Sequence, residues 1–178
     1  MKSERVLSEP VVMVDTREQA PLEFVHLKAE RGTLRTGDYS AAGFVSKVAI
    51  ERKSVPDLVN SLTAARDRFW HELERLRGFA FARLLVVGTL DELAVTLRRR
   101  AVSVESVLGS LAAIDARYVP VVFAATPQDA AAIVEGWLWY FWTHEAAPFC
   151  GAVKVPEYAR GFMWQRWNGA RYRKGGAV

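Results

Sequence analysis

The sequence predicts an α/β fold in which helices flank a central sheet. Short apolar runs, typical of buried strands, alternate along the chain with longer segments in which apolar residues recur every three or four positions, as in amphipathic helices. The chain has 178 residues, of which 51% are hydrophobic. That length suits one domain with a substantial core.

Composition excludes several classes of protein. The single cysteine, Cys150, cannot form an internal disulfide and fits a reducing compartment. The stretch Met1–Pro10 is polar and charged, unlike a signal peptide, and no apolar run reaches the roughly 18 residues needed to span a membrane. We therefore expect an intracellular protein without a membrane partner, cytoplasmic in a prokaryote or phage and nuclear in a eukaryote.

The charge balance permits nucleic acid as a partner. The net charge is +4 and the sequence pI is about 9.4, which is a modest excess of positive charge. Arginine outnumbers lysine 18 to 6. Arginine suits bidentate contacts with phosphate, although a GC-rich genome would give the same bias.

A charged cluster follows the first predicted strand, the apolar run Pro10–Val14. Open α/β sheets bind ligands just beyond the carboxyl ends of their strands. Asp15 and Glu18 would then contribute to an acidic cluster, and Arg17 would contact a phosphate. The alternative is a polar turn that leads to Pro21.

Two more strands are predicted next, after an irregular or briefly helical segment over Pro21–Gly32. The first covers Gly32–Tyr39, where Gly37 allows a tight turn or a close backbone approach beside Asp38. The second covers Phe44–Lys53, which is rich in β-branched and aromatic residues and follows a turn-like Ala-Ala-Gly.

The acidic residues of these strands predict a metal-dependent nuclease centre. Glu51 and Lys53 lie two positions apart on a strand and so share a face, while Asp38 ends the neighbouring strand. Two converging carboxylates suit a hard cation such as Mg²⁺ or Mn²⁺. Lys53 would orient or deprotonate water and stabilise charge on a phosphate. Alternatively, Glu51, Arg52 and Lys53 form a solvated charge cluster.

The longest predicted helix covers Val55–Arg77 and presents an apolar stripe to the core. Ser54, followed three residues later by Asp57, resembles a capping box, so Asp57 would cap the helix and could also face the metal. Arg66, on one edge of the stripe, could reach a DNA backbone. Arg68 is a second candidate, although a solvated helix face explains it equally well.

The remaining elements continue the alternation of strands and helices. The predicted order is a strand over Ala82–Gly88, helices over Thr89–Arg100 and Ser103–Ala116, a strand over Tyr118–Phe123, and a helix from Thr126 to about His144. The last helix is apolar on more than one face. One face can cover the sheet, and the rest needs a larger core, the C-terminal segment or a second copy of the chain. The segment 129–144 is therefore a candidate homodimer interface.

The final segment differs in composition, which suggests a domain over residues 1–147 and a basic aromatic extension over 148–178. Arginines interleaved with aromatic residues could bind DNA through phosphate contacts and base stacking. Alternatively, the aromatic residues pack back on the domain. The candidate DNA-binding residues of the extension are Arg166, Arg171, Arg173 and Lys174.

Three motifs together resemble the nuclease domain of the XPF family of structure-specific DNA endonucleases, a branch of the PD-(D/E)xK nuclease-like group. They are Val14–Glu18, Gly37-Asp38-Tyr39, and Glu51-Arg52-Lys53-Ser54-x-x-Asp57. The resemblance covers about residues 10–145. It implies a restriction-endonuclease-like mixed sheet, a divalent metal, cleavage of flaps, forks or junctions during repair or recombination, and dimerisation through the nuclease domain. Residues 148–178 show none of the helix-hairpin-helix repeats that follow the nuclease domain in many larger members, so we expect any branch specificity to depend on other residues.

The resemblance also implies a role for each motif residue. Asp38 and Glu51 correspond to metal ligands, with Asp15 as a third candidate, and Lys53 corresponds to a catalytic residue. A structural or phosphate-binding role falls to Arg52. The supporting residues are the acids Asp15, Glu18 and Asp57 and the phosphate contact Arg17. The alternative functions are a non-catalytic DNA-binding or scaffold subunit of a nuclease complex, and a nuclease without branch specificity.

Overall fold

A mixed six-stranded sheet forms the centre of the part of the chain that the structure describes. The structure is a computed structural model that describes residues 9–150, with side chains up to residue 145. The strands are β1 (Val12–Asp15), β2 (Ala29–Gly32), β3 (Tyr39–Ala41), β4 (Val48–Ser54), β5 (Phe81–Val87) and β6 (Val121–Ala124). The helices are α1 (Val55–Leu62), α2 (Arg66–Arg77), α3 (Leu90–Arg99), α4 (Val104–Arg117) and α5 (Pro127–Cys150). The predicted α/β class is confirmed.

The strand order brings the predicted motifs together at one end of the strands. The order is β2-β1-β3-β4-β5-β6, with β3 antiparallel to both β1 and β4 and every other neighbouring pair parallel. Strands β1 and β4 therefore run in the same direction. Their carboxyl ends, at Asp15 and Ser54, lie at the same end of the sheet as Asp38, which leads into β3.

Two hydrophobic cores sandwich the sheet. One lies between the sheet and helices α1–α4, and the other lies under α5. Along β4, Val48 and Ile50 face α5, whereas Ala49 faces α1–α4. Each large side chain that is fully buried in this way contributes about 1.5–3 kcal/mol relative to exposure. The largest fully buried side chains include Tyr39, Phe69, Leu73, Leu84, Ile114 and Leu138.

The predicted single strand over Gly32–Tyr39 is wrong, because Gly32 ends β2, Tyr39 begins β3, and residues 33–38 form a loop between them. Gly37 adopts a φ of +82°, and a Cβ at this position would lie 3.0 Å from the Ile50 carbonyl oxygen. Glycine is therefore required where the loop crosses β4. Strand β2, which pairs with β1, was expected to be irregular or helical. Its sequence is polar and its residues are largely exposed at the edge of the sheet, so it lacks an apolar signal.

The strand predicted from Phe44 begins later, at Val48. The Phe44 N–H donates to the Ala41 carbonyl, and the Phe44 carbonyl accepts from the Val48 N–H, so Phe44 belongs to the turn between β3 and β4. Its ring packs edge-on against Phe141 of α5, with centroids 5.6 Å apart. The apolar character that suggested a strand is explained by this contact with α5.

The single helix predicted over Val55–Arg77 is two helices, α1 and α2. The Thr63 hydroxyl donates to the Val59 carbonyl at 2.7 Å, and the backbone of Thr63 leaves the helical region. A threonine side chain that bonds the preceding turn competes with helical hydrogen bonding. The apolar stripe stays buried in both helices, so the periodicity did not reveal the break.

Helix α5 buries more of its apolar surface than predicted. The ring of Trp137 packs on Phe81, and the ring of Phe141 packs on Phe44. These contacts cover part of the apolar surface of the segment 129–144, the candidate homodimer interface. Tyr140 remains 43% exposed. The helix continues to Cys150, beyond the predicted end at His144 and across the predicted domain boundary. No helix in the described part of the chain has the length and hydropathy to cross a membrane.

Candidate active site

The backbone of β3 and β4 places Asp38 beside Glu51. The Asp38 N–H donates to the Ile50 carbonyl at 2.8 Å, and the Asp38 Oδ2 accepts from the Arg52 N–H at 2.7 Å. These two bonds hold Asp38 against Ile50 and Arg52, the residues before and after Glu51. Glu51 itself is 5% exposed. The two carboxylates therefore approach each other at the sheet edge, as the sequence motif predicts.

The electrostatics of this pair favour a cation. Burial raises the pKa of the Glu51 carboxyl, and the negative charge of Asp38 raises it further. Burial is also the main cause of the raised pKa of Asp38. Two buried carboxylates that share a site ionise together only when positive charge compensates them. The pair is consequently suited to bind a cation or to share a proton.

Lys53 supplies one positive charge to the pair. Its Nζ forms an ion pair with Glu51 Oε1 and lies 3.4 Å from Glu72 Oε2. It also lies 5.3 Å from the centre of the Phe69 ring. Burial alone would lower the pKa of the Lys53 ammonium, but the charges of Glu51 and Glu72 outweigh it and raise the pKa. The two neighbouring carboxylates therefore favour the protonated form of Lys53.

Glu72, which lies on α2, is a site residue that no sequence motif indicated. The residue that signals it is Phe69, three positions earlier on the same helix face, because that spacing puts Glu72 beside the buried stripe. Which strand the helix faces is decided by the sheet, so the contact with Lys53 could not be read from spacing. Glu72 completes an arrangement in which carboxylates from β4 and α2 hold one ammonium group.

Asp15 anchors Arg17 at the end of β1. Asp15 is 1% exposed. Its Oδ1 accepts from the Arg17 N–H at 2.8 Å and Nε at 2.7 Å, and its Oδ2 accepts from Arg17 Nη2 at 3.1 Å and the Leu34 N–H at 2.7 Å. The Arg17 guanidinium lowers the pKa of Asp15 to about 2. Asp15 as a metal ligand stays a prediction, and both of its oxygens are engaged in these bonds.

The side chain of Arg52 lies on the face of β4 opposite to Glu51 and Lys53, and Glu18, which follows β1, contacts it there. Glu18 Oε2 is 3.6 Å from Arg52 Nη1, and Glu18 Oε1 accepts from the Ala20 N–H at 2.7 Å. The Arg52 Nε is buried and has no hydrogen-bond partner among the described residues. Arg52 lines a small cavity with Gln128 at the start of α5. The alternation along β4 therefore directs Arg52 away from Lys53.

Comparison with known proteins places the chain in a family. A family model for the ERCC4 domain matches residues 14–136, which include every motif residue described above. The chain belongs to the ERCC4 domain family. The predicted XPF-type nuclease domain is thereby confirmed.

Two solved structures resemble this ERCC4 domain. One is described as XPF from Aeropyrum pernix, with 23% identity over 83% of this chain and 68% of that chain and a TM-score of 0.62. The other is described as XPF from Aeropyrum pernix in complex with DNA, with 20% identity over 91% of this chain and 83% of that chain and a TM-score of 0.60. These likenesses confirm the restriction-endonuclease-like fold. No match was found among curated proteins.

The other predicted site residues of the ERCC4 domain have structural partners or lie outside the described residues. Asp57 is exposed in the first turn of α1, where its N–H donates to Oγ of the N-cap residue Ser54 and its Oδ2 accepts from the same hydroxyl. Arg66 donates to the Leu62 carbonyl and stacks over the ring of Trp70 at 4.9 Å. Arg68, two residues further along α2, is exposed. The residues outside the described part are Arg166, Arg171, Arg173 and Lys174.

The donor set of the ERCC4 domain fits a hard divalent cation. Within residues 9–145, no three histidine, cysteine or acidic side chains converge as a ready metal site. Mg²⁺ needs no such cluster, because one or two carboxylates are enough when water and substrate phosphate complete its shell. Asp38 and Glu51 provide two carboxylates whose charges are poorly compensated. The residues present therefore fit Mg²⁺ or Mn²⁺.

Proposed function

We propose that this ERCC4 domain is a Mg²⁺- or Mn²⁺-dependent endodeoxyribonuclease that hydrolyses phosphodiester bonds. The observation that carries the proposal is the buried pair Asp38 and Glu51, whose pKa values are raised and whose nearest cation is Lys53. Such a pair lies at the sheet edge where α/β proteins bind ligands. Perturbed carboxylates in that position are expected of a catalytic centre.

Asp38 and Glu51 would hold the metal ion. The chemistry supplied by such an ion, when bound, is polarisation of the phosphate and a lower pKa for water. The backbone contacts of Asp38 with β4 keep the two carboxylates in register, so little reorganisation is needed when a substrate arrives. Asp15, the third candidate ligand, would join only by giving up hydrogen bonds to Arg17 or Leu34.

Lys53 would stabilise negative charge on the phosphate as the bond is cut. Its ammonium stays protonated because Glu51 and Glu72 surround it, so its role is electrostatic rather than that of a base. Glu72 acts through Lys53 and is a positioning residue. Fixed charges of this kind are most effective in sites that exclude water.

Arg17 would contact a neighbouring phosphate. Its side chain is 68% exposed, yet its guanidinium is oriented by Asp15 and by the Leu34 carbonyl. The charges of Asp38 and Glu51 also act on it, so it lies within electrostatic reach of the pair. Asp15, Glu18 and Asp57 are proposed as supporting acids, and Arg66 and Arg68 as further DNA contacts.

The substrate is proposed to be branched DNA, such as a flap, fork or junction, cut during repair or recombination. The support is the family and the fold shared with a protein described as XPF from Aeropyrum pernix in complex with DNA. We propose in addition that two copies associate through α5, where Tyr140 is exposed beside the partly buried Trp137 and Phe141. A monomeric mass at micromolar concentration would contradict that association.

A cleavage assay tests the catalytic proposal. Linear, flap, fork and four-way DNA are incubated with Mg²⁺ or Mn²⁺ and with wild type, Asp38→Asn or Lys53→Ala. Both variants should lose at least about 100-fold in rate while retaining DNA binding. Lys47→Ala is the matched control, because Lys47 is exposed and pairs with Glu145 away from the site. Equal cutting by wild type and both site variants would reject the proposal.

A further inference from the structure

A second cavity, lined by both apolar and polar residues, lies beside the loop that carries Asp38. Its volume is about 440 Å³, which is within the range of small-molecule sites. It is formed where the β2–β3 loop, the β3–β4 turn and the end of α2 meet. The polar and charged residues that line it are Thr33, Arg35, Thr36, Ser46 and Arg75.

The cavity carries positive charge. Arg35 and Arg75 line it from opposite segments of the chain, and no acidic side chain lines it among the described residues. Neither arginine forms an ion pair with another residue in the 9–145 range, in contrast to Arg17 and Arg77. Two guanidinium groups without carboxylate partners favour an anion, and arginine suits phosphate in particular.

A buried hydroxyl supports the same conclusion. Thr36 is 7% exposed, and its Oγ1 has no hydrogen-bond partner among the described residues. Buried polar groups are nearly always paired, so this hydroxyl is available to a ligand. The oxygen is covered in this side-chain position, so contact with a ligand in the cavity requires rotation about the Cα–Cβ bond of Thr36. The hydroxyls of Thr33 and Ser46 line the same space. Hydroxyl and guanidinium groups together donate hydrogen bonds, as the oxygens of a phosphate require.

One loop links this cavity to the proposed metal site. Thr36 precedes Asp38 by two residues, and Gly37 between them is pressed against the Ile50 carbonyl of β4. The loop therefore presents Thr36 to the cavity and Asp38 to Glu51. An anion held in the cavity would lie at a set position relative to the carboxylate pair.

We propose that this cavity binds a backbone phosphate of the DNA strand, at a fixed distance from the phosphate that is cut. The inference rests on the proposed nuclease function and deepens it. The cavity thereby sets the register of the strand on the site. Arg35 and Arg75 neutralise the phosphate, and the Thr36 hydroxyl donates to one of its oxygens.

Salt-dependent DNA binding in metal-free buffer tests the charge contacts. Wild type is compared with Arg35→Gln, Arg75→Gln and the control Arg77→Gln, which removes the same charge from a residue paired with Glu74. Each cavity variant should reduce the magnitude of the negative slope of log affinity against log salt by about 0.7–0.9 and weaken binding several-fold. The control should leave the slope unchanged. Identical behaviour of all three variants would overturn the proposal.

The hydroxyl contact is tested by a pair of variants at one position. Thr36→Val keeps the shape and removes the donor, so it should weaken DNA binding several-fold, whereas Thr36→Ser should restore it. Melting temperatures show that both are folded. Wild-type affinity in Thr36→Val would overturn the role of the hydroxyl.

The source of the phosphate is tested with inorganic phosphate, followed by ³¹P line broadening in wild type and Arg75→Gln. If phosphate saturates the cavity while DNA binding is insensitive to both cavity arginines, the site serves a free anion and the DNA assignment is wrong. Because these measurements need no cleavage, a wild type that fails to cut but shows the cavity effects would remove the proposed function alone. Normal cutting without those effects would remove this inference alone.

Discussion

The ends of β1 and β4 lie at the same end of the sheet and each carries a buried carboxylate, yet the pKa values of the two are shifted in opposite directions. Asp15, at the end of β1, accepts four hydrogen bonds and has a pKa of about 2. Glu51, on β4, faces Asp38 and has a raised pKa. Burial is the main cause of the raised pKa of Glu51, whereas the hydrogen bonds from Arg17 and Leu34 outweigh burial at Asp15. The acid that lacks compensation is the one suited to a metal.

The largest expected effect concerns the β4 end. Glu51→Gln removes one charge from the carboxylate pair, so cleavage of DNA in Mg²⁺ or Mn²⁺ should fall by at least about 100-fold. Single-turnover assays measure the rate. Because the amide relieves repulsion with Asp38, the free energy of unfolding without metal should change by less than about 1 kcal/mol. Retained cleavage would show that Glu51 is not in the site.

The β1 end should respond in the opposite way. Asp15→Asn replaces an acceptor with an NH₂ group that must face a donor from Arg17 or Leu34, so the free energy of unfolding should fall by about 2–3 kcal/mol. Urea denaturation of Asp15→Asn beside Glu51→Gln provides the comparison. If Glu51→Gln is the more destabilising of the two, the contrast between the ends of β1 and β4 is wrong.

The pH dependence of stability sharpens the comparison. Because the pKa of Asp15 is lowered from 3.8 to about 2, the folded state binds fewer protons than the unfolded state between these values. The stabilisation is therefore complete above about pH 4 and is lost as the pH falls toward 2. Its size is about 1–2 kcal/mol after allowance for the exposed Arg17. The stability difference between wild type and Asp15→Asn should narrow over this range, and a constant difference would contradict it.

Metal addition should affect only the β4 end. At ten times its dissociation constant, Mg²⁺ or Mn²⁺ should stabilise the protein by about 1.4 kcal/mol. The shift in melting temperature should be larger at pH 8 than at pH 5. The pKa values of Asp38 and Glu51 are raised, so at low pH these carboxylates bind protons, which the metal ion must displace. Calorimetry measures the shift. Asp38→Asn should abolish it, and an unchanged shift in that variant would place the metal elsewhere.

The smallest effect is expected at Glu72. Glu72→Gln weakens the hold on Lys53 without touching the carboxylate pair, so cleavage should slow by about 3–10-fold and the metal-dependent stabilisation should remain. The matched control is Glu74→Gln, at an exposed residue two positions further along α2. If both substitutions act equally, Glu72 does not position Lys53.

Several features were predictable because they depend on neighbours in sequence. The two-residue period of a strand brings Lys53 into contact with Glu51 and turns Arg52 to the other face. Ser54 caps α1 as its position before the apolar stripe predicts, and the carboxylate of Asp57, three residues later, bonds the Ser54 hydroxyl. The buried strands β1 and β5 were recognisable from apolar runs, whereas the polar edge strand β2 was not. The break between α1 and α2 was hidden because the apolar stripe continues through it.

The sequence by itself determined the α/β class and the motif residues, because strand and helix periods and the order of charged residues are local properties of the chain. Only the tertiary structure decided how those residues are paired. It engaged Asp15 with Arg17 and the Leu34 backbone, brought Glu72 of α2 to Lys53, and left the Thr36 hydroxyl without a partner. The physical reason is that hydrogen bonding and electrostatic compensation depend on distances across the sheet, which residue spacing along the chain does not specify.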